Sequence, residues 1–138
     1  MGKKKIVLDT NIYISALGWK GNPRIILSKI IEGKYELLLS VKQFEEVVKV
    51  LDYPKFGFTD EQKARFILLL NEIATMVKTK TKVDVIKDDP SDNIVLESVA
   101  EFEIDYVVSG DRHLLDLKEF NGAKIITPKQ FMQIVNQK

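Results

Sequence analysis

Apolar residues along this chain keep two rhythms. Ile6-Val7-Leu8, Tyr35-Glu36-Leu37-Leu38-Leu39 and Tyr106-Val107-Val108 are short runs bounded by polar or turn residues. Such runs read as strands buried on both faces rather than as half-solvated ones. Between them, spacing near 3.6 predicts helices. One opens at Asn22-Pro23-Arg24, carries Ile25, Ile26, Leu27, Ile30 and Ile31, and ends at Gly33; Pro at the first helical position and Gly just past the last are the expected punctuation. Another starts at Ser40, carries Phe44, Val47, Val48 and Leu51, and stops at Tyr53-Pro54.

Thr59-Asp60-Glu61-Gln62 is a capping box that predicts a long helix to about Lys78, followed by a third strand over Val83 to Ile86. Asp89-Pro90-Ser91-Asp92 opens a helix through about Phe102. Asp105 to Ser109 forms a fourth strand, broken at Gly110-Asp111. A helical turn with Leu114 and Leu115, a strand over Ala123 to Ile126 and a last helix from Thr127-Pro128, with Phe131, Ile134 and Val135 inward, complete the chain. Strands alternating with helices predict an α/β fold with a parallel sheet covered on both faces. The length, 138 residues, suits one domain spanning 1–138.

Composition narrows the setting. The absence of cysteine excludes disulfides and thiolate metal sites, which makes the cytoplasm the simple expectation. The apolar run after Lys3-Lys4-Lys5 is too short for a signal peptide or a membrane span. A net charge of +1 gives no strongly basic surface. Its distribution is uneven, though: Lys78, Lys80 and Lys82 alternate just before the acid-rich stretch from Asp88 to Asp105.

Asp9 ends the first strand and is followed by Thr10-Asn11. In open α/β sheets, ligands sit beyond the carboxyl ends of the strands, so Asp9 either points into such a crevice or caps the next helix. Three further acids occupy comparable places: Glu46 beside the apolar stripe of its helix, Asp92 in a first helical turn and Asp111 just past strand four. Two carboxylates about 5 Å apart repel by roughly 3 kcal/mol at an effective dielectric of about 20, so four together require cations or shared protons. Hard oxygen donors with no His or Cys expected among them favour Mg²⁺ or Mn²⁺ over zinc, and such ions activate water and hold phosphate. Asn11 and Ser109 can donate hydrogen bonds that fix such carboxylates.

Leu8-Asp9-Thr10-Asn11, Ser40 with Glu46 six positions on, Asp89-Pro90-Ser91-Asp92-Asn93 and Val108-Ser109-Gly110-Asp111-Arg112-His113-Leu114-Leu115, taken in order, resemble the PIN domain of VapC-like toxins. That resemblance implies a three-layer α/β/α sandwich with a five-stranded parallel sheet in order 3-2-1-4-5. It implies Asp9, Glu46, Asp92 and Asp111 as catalytic metal ligands, with Asn11 and Ser109 in support. It further implies Mg²⁺- or Mn²⁺-dependent endoribonuclease activity on RNA, a toxin role, a cognate antitoxin protein and a homodimer. Two rivals stand beside it. One is a catalytically silent PIN-like domain binding RNA or protein. The other is a phosphotransfer domain with Asp9 as nucleophile, against which Asn11 stands where such enzymes carry a second Asp.

Neighbouring residues receive blander assignments. Glu45 lies about 100° around the helix from Glu46 and stays outside the site. Asp88, Asp89 and Asp105 read as capping and turn acids, with Asp116 a possible auxiliary. His113, the single histidine, reads as a packing or hydrogen-bonding residue more than a base. Trp19, in a Gly-flanked loop after Asp9, either stacks on a base or packs beneath its loop. The broad apolar surface of the long helix predicts cover by a second chain.

Overall fold

A computed structural model describes residues 2–86 and 89–136. Its elements are β1 (Lys5–Leu8), α1 (Thr10–Gly18), α2 (Asn22–Ile31), β2 (Glu36–Ser40), α3 (Val41–Leu51), α4 (Asp60–Ile73), β3 (Ala74–Val77), α5 (Pro90–Glu101), β4 (Tyr106–Val108), α6 (Arg112–Leu115), β5 (Glu119–Phe120), β6 (Ala123–Ile126) and α7 (Pro128–Asn136). A 3-10 turn, Pro54–Phe56, follows α3. No helix is long and apolar enough to cross a membrane among the described residues.

The sheet runs β3-β2-β1-β4-β6-β5. Its first five members are parallel neighbours in the expected order, and β5 adds an antiparallel edge through a hairpin with β6. Strand alternation sends side chains to opposite faces. Ile6, Leu8, Leu37, Leu39 and Val108 join the core made with α1, α2, α3, α4 and α7, while Val7, Leu38, Val107 and Ile125 join the core made with α5 and α6. This is the three-layer sandwich. The central strand is fully enclosed, with Ile6, Val7 and Leu8 all at 0 % exposure.

Two elements depart from the periodicity. α4 starts on its capping box but ends at Ile73, not near Lys78, and the chain passes directly into β3. Ala74 to Val77 pair with Leu37 to Ser40 and so take the edge position expected for Val83 to Ile86. Residues 83–86 form no strand. Their backbone is satisfied by a side chain: Asn93 Oδ1 accepts from the amides of Val85 (3.0 Å) and Ile86 (2.9 Å), and its Nδ2 donates to the Ile86 carbonyl (2.7 Å). Asn93 therefore does for this segment what a neighbouring strand would do.

The shorter α4 also reduces the apolar surplus that pointed to a second chain. Phe66 and Leu70 are buried, Met76 and Val77 belong to a strand, and Leu68 stays exposed. The lysine-rich segment 78–82 that follows β3 is fastened to α5. Glu101 accepts from the amides of Lys80 and Thr81, and Glu97 takes Lys42 of α3 at 3.0 Å.

Asn93→Ala should lower folding stability by about 1–3 kcal/mol, the cost of leaving buried amide groups unpartnered. Urea denaturation measures this. A loss below about 0.5 kcal/mol would mean that water replaces the amide side chain there.

Candidate acidic site

β1, β2 and β4 end on the same edge of the sheet because the connections between parallel strands are crossovers. Each hands the chain to a polar residue: Asp9, Ser40 and Ser109. Asp9 occupies the N-cap position of α1, yet its side chain makes no capping hydrogen bond. It turns across the sheet instead, where Ser109 Oγ donates to Asp9 Oδ2 at 2.8 Å. The same hydroxyl accepts from the Asp111 amide at 2.9 Å, so one oxygen joins the ends of β1 and β4 to the turn carrying Asp111.

Ser40 caps α3 by accepting from the Gln43 amide at 3.0 Å. Gln43, fully buried, donates its side-chain Nε2 to the Leu8 carbonyl and ties α3 to the end of β1. That fixes the rotation of α3. Glu46 is half-buried on the inner side, Glu45 exposed on the outer, and Thr10 Oγ1 donates to Glu46 Oε2 at 3.1 Å.

Asp9, Glu46, Asp92 and Asp111, with Asn11, line one cavity of about 180 Å³. Asp9 and Asp92 are 5 % and 3 % exposed. Burial pushes Asp9 up from the ordinary 3.8 to about 6; the Ser109 hydrogen bond pulls it back, and the Asp111 charge adds to the rise. Burial likewise pushes Asp92 up to about 8, with the charges of Asp9 and Asp111 adding to it. Asp92 Oδ2 is buried with no hydrogen-bond donor among the described residues.

The structure brings together every acid of the expected quartet. Asn11 lines the cavity from an exposed position, and Ser109 supports Asp9 from beneath. Asp89 caps α5 through the Ser91 amide at 3.0 Å and also lines the cavity, a second place that its capping role did not suggest. Asp105 stands at the opposite end of the sheet, accepting from the Lys5 amide at 2.8 Å. Asp88 lies outside the described residues. Asp116 follows α6 at its C-cap, outside the cavity lining.

Two contributors were not singled out from the sequence. Thr10 holds Glu46; its position beside Asp9 was the available signal. Gln43 anchors α3, with no signal beyond its helical offset from Ser40. His113, expected to pack or hydrogen-bond outside an oxygen-only donor set, instead offers a nitrogen within 4.8 Å of oxygens of Asp92 and Asp111, so the imidazole joins the acidic group as a candidate metal donor.

A family model described as PIN domain matches residues 5–113. The chain belongs to the PIN domain family. No curated protein matched it. PIN domains are generally nucleases and usually use divalent metal ions, so the fold is of a nuclease type. The donor set here fits such an ion: hard carboxylate oxygens converge, one of them is buried without a donor, and burial disfavours the ionised forms of Asp9 and Asp92 unless a cation is near.

The raised carboxyls set a sign for the stability of this PIN domain without metal. Between about pH 4, where unfolded aspartates ionise, and the folded values of about 6 and about 8, the folded chain holds protons that the unfolded chain has released. Stability therefore falls as pH rises through that window. Thermal melts in EDTA should show this decline, and Asp92→Asn should flatten its upper part and melt higher than wild type at about pH 8. Parallel curves for the two proteins would locate the electrostatic strain elsewhere.

Proposed function

We propose that this PIN domain is a Mg²⁺- or Mn²⁺-dependent endoribonuclease that hydrolyses RNA phosphodiesters. The observation that carries the reading is the convergence of Asp9, Glu46, Asp92 and Asp111 from four separate elements on one small cavity at the carboxyl edge of the sheet. Asp92, Asp111 and His113, whose donor atoms lie within 4.8 Å of one another, would hold the ion most directly, with Asp9 and Glu46 lining the same cavity. When bound, such an ion neutralises the carboxylates, draws in a phosphate and lowers the pKa of a nearby water.

The chain's own contribution is positioning. Ser109 holds the Asp9 carboxylate and Thr10 holds that of Glu46, so both cavity-lining carboxylates are fixed with little rotamer freedom. Hydrolysis adds a water oxygen to phosphorus as the bond to the 3′ oxygen breaks. One water proton ends on that 3′ oxygen, leaving a 5′-phosphate and a 3′-hydroxyl. A toxin role fits the same reading, with a cognate antitoxin protein and a second copy of the chain as partners. Light scattering at micromolar concentration tests the dimer.

Cleavage of a panel of structured and unstructured RNAs, with Mn²⁺ or EDTA, tests the activity. Asp111→Asn should lower the rate at least about a hundredfold, the upper end of what losing a supporting residue alone costs. Mn²⁺ should also raise the melting temperature of wild type and leave a protein lacking both Asp92 and Asp111 unmoved. Cleavage that persists in EDTA, or equal stabilisation of the double variant, would sink the proposal.

A further inference from the structure

The wall of the acidic cavity that carries no acid is aromatic. Tyr53 and Phe56, with Lys55 between them, line it from the turn that follows α3. The Tyr53 and Phe56 rings are parallel within 3°, with centroids 6.4 Å apart. Phe58 continues the row from Phe56 at 5.7 Å and 16°. Trp19, just past α1, meets Phe56 and Phe58 edge-on at 6.3 and 6.4 Å.

This row is anchored at its middle and open at its ends. Phe56 and Phe58 are half-buried and pack against the larger core. Gly57 between them has φ near 60°, a left-handed conformation that a side chain would strain. A Cβ on Gly18 would lie 3.1 Å from the Phe58 ring, so the bare end of α1 makes room for it. Tyr53 and Trp19, by contrast, are 40 % and 55 % exposed. Lone exposed aromatics need no explanation, but two that share a fixed aromatic base beside a charged cavity form a continuous surface.

We propose that this row is a base-stacking subsite for single-stranded RNA, on which bases flanking the phosphate in the acidic cavity lie against Tyr53 and Trp19. The inference rests on the nuclease reading. A cavity of about 180 Å³ lined largely by carboxylates suits cations and a phosphate but is too small to take a base as well, and its apolar lining is confined to Val50, Tyr53 and Phe56. The bases on either side must therefore leave it over the rim, and the aromatic wall is the rim's apolar part. Aromatic rings accept any base by its face, which makes such contacts tolerant of sequence. A duplex keeps those faces stacked internally, so the subsite selects unpaired strands. Lys55, whose Nζ lies 5.2 Å from the Phe56 ring centroid, adds a positive charge at the rim that offsets the repulsion between the acids and the incoming backbone.

Trp19 is the chain's single tryptophan, so stacking on it reads directly as fluorescence quenching. The full chain, with Ca²⁺ in place of Mg²⁺ or Mn²⁺, is titrated with a single-stranded oligouridylate, a ribose-phosphate strand of equal length lacking bases, and an RNA duplex. The oligouridylate should quench Trp19 and bind about tenfold or more tightly than the baseless strand or the duplex. Tyr53→Ala should raise both Kd and KM by about tenfold with kcat little changed, and Tyr53→Phe should restore them. Melting temperatures establish that each variant is folded.

Equal affinity for the base-bearing and baseless strands, or wild-type affinity in folded Tyr53→Ala and Trp19→Ala, overturns the subsite while cleavage, if present, leaves the nuclease reading standing. Quenching by the oligouridylate from a chain that cuts nothing in Mn²⁺ supports the subsite and removes the nuclease reading. Absence of any RNA binding removes both. Should Trp19→Ala alter the light-scattering mass and not RNA affinity, the row is a protein contact and the proposal falls.

Discussion

Keeping a carboxylate buried at the end of the central strand is the constraint on which the rest of the structure turns. Asp9 follows Ile6, Val7 and Leu8, all at 0 % exposure, and is itself 5 % exposed, so water solvates it poorly and the chain must. Ser109 supplies the hydrogen bond, and it can do so only because β4 lies beside β1 in parallel register, with Val108 opposite Leu8. The same serine hydroxyl then fixes the turn that holds Asp111. Gln43 performs the corresponding task on the other flank by binding the Leu8 carbonyl, which sets the face of α3 that carries Glu46. The site is thus a consequence of strand order: the residue after β4 holds Asp9, and the helix after β2 holds the Leu8 carbonyl just before it.

Such an arrangement works against the stability of the fold that builds it. Burial and mutual repulsion both press Asp9 and Asp92 toward their neutral forms, and Asp92 Oδ2 has no donor among the described residues to offset its desolvation. A domain's net stability is only about 5–15 kcal/mol, so strain of this kind is tolerable only where the surroundings are over-determined. Here they are, by two continuous cores on either face of the sheet. A cation entering a cluster of this kind would offset that electrostatic cost, which is the general source of an acidic cluster's affinity for one.

Much of this was legible in the sequence because the acids are attached to features that sequences record well. Strand ends are marked by the change from apolar to polar residues, which located Asp9 and Asp111; helical offset from Ser40 separated Glu46 from Glu45. The pattern failed where burial or tertiary partners removed its contrast. In α1, Thr10, Ile12, Tyr13, Ile14 and Ala16 are all buried, so the apolar residues form no stripe and no helix was read there. Ala74 to Val77 continued the helical periodicity of α4, but pairing with β2 satisfied their backbone better than another helical turn would. Residues 83–86 had strand-like composition and lost the sheet edge to β3, their amides going to Asn93. Long-range choices of this sort depend on which segment reaches an edge first in space, and local sequence carries no record of that.

The two walls of the cavity also differ in how firmly the fold prescribes them. Asp9 and Asp111 stand at the ends of paired strands, and Glu46 and Asp92 project from helices packed on the sheet, so moving any of them means moving the core. Tyr53, Lys55 and Phe56 belong to a turn between α3 and α4, tied to the core by Phe56 and Phe58 but free at its outer surface. Loops on a rigid scaffold are where recognition can change without disturbing chemistry. The charged wall, fixed by strand order, suits a phosphate and its counter-ions, which every strand of nucleic acid presents alike. The aromatic wall, set by a short turn and by the bare end of α1, is where selection among strands can be made at little cost to the sheet.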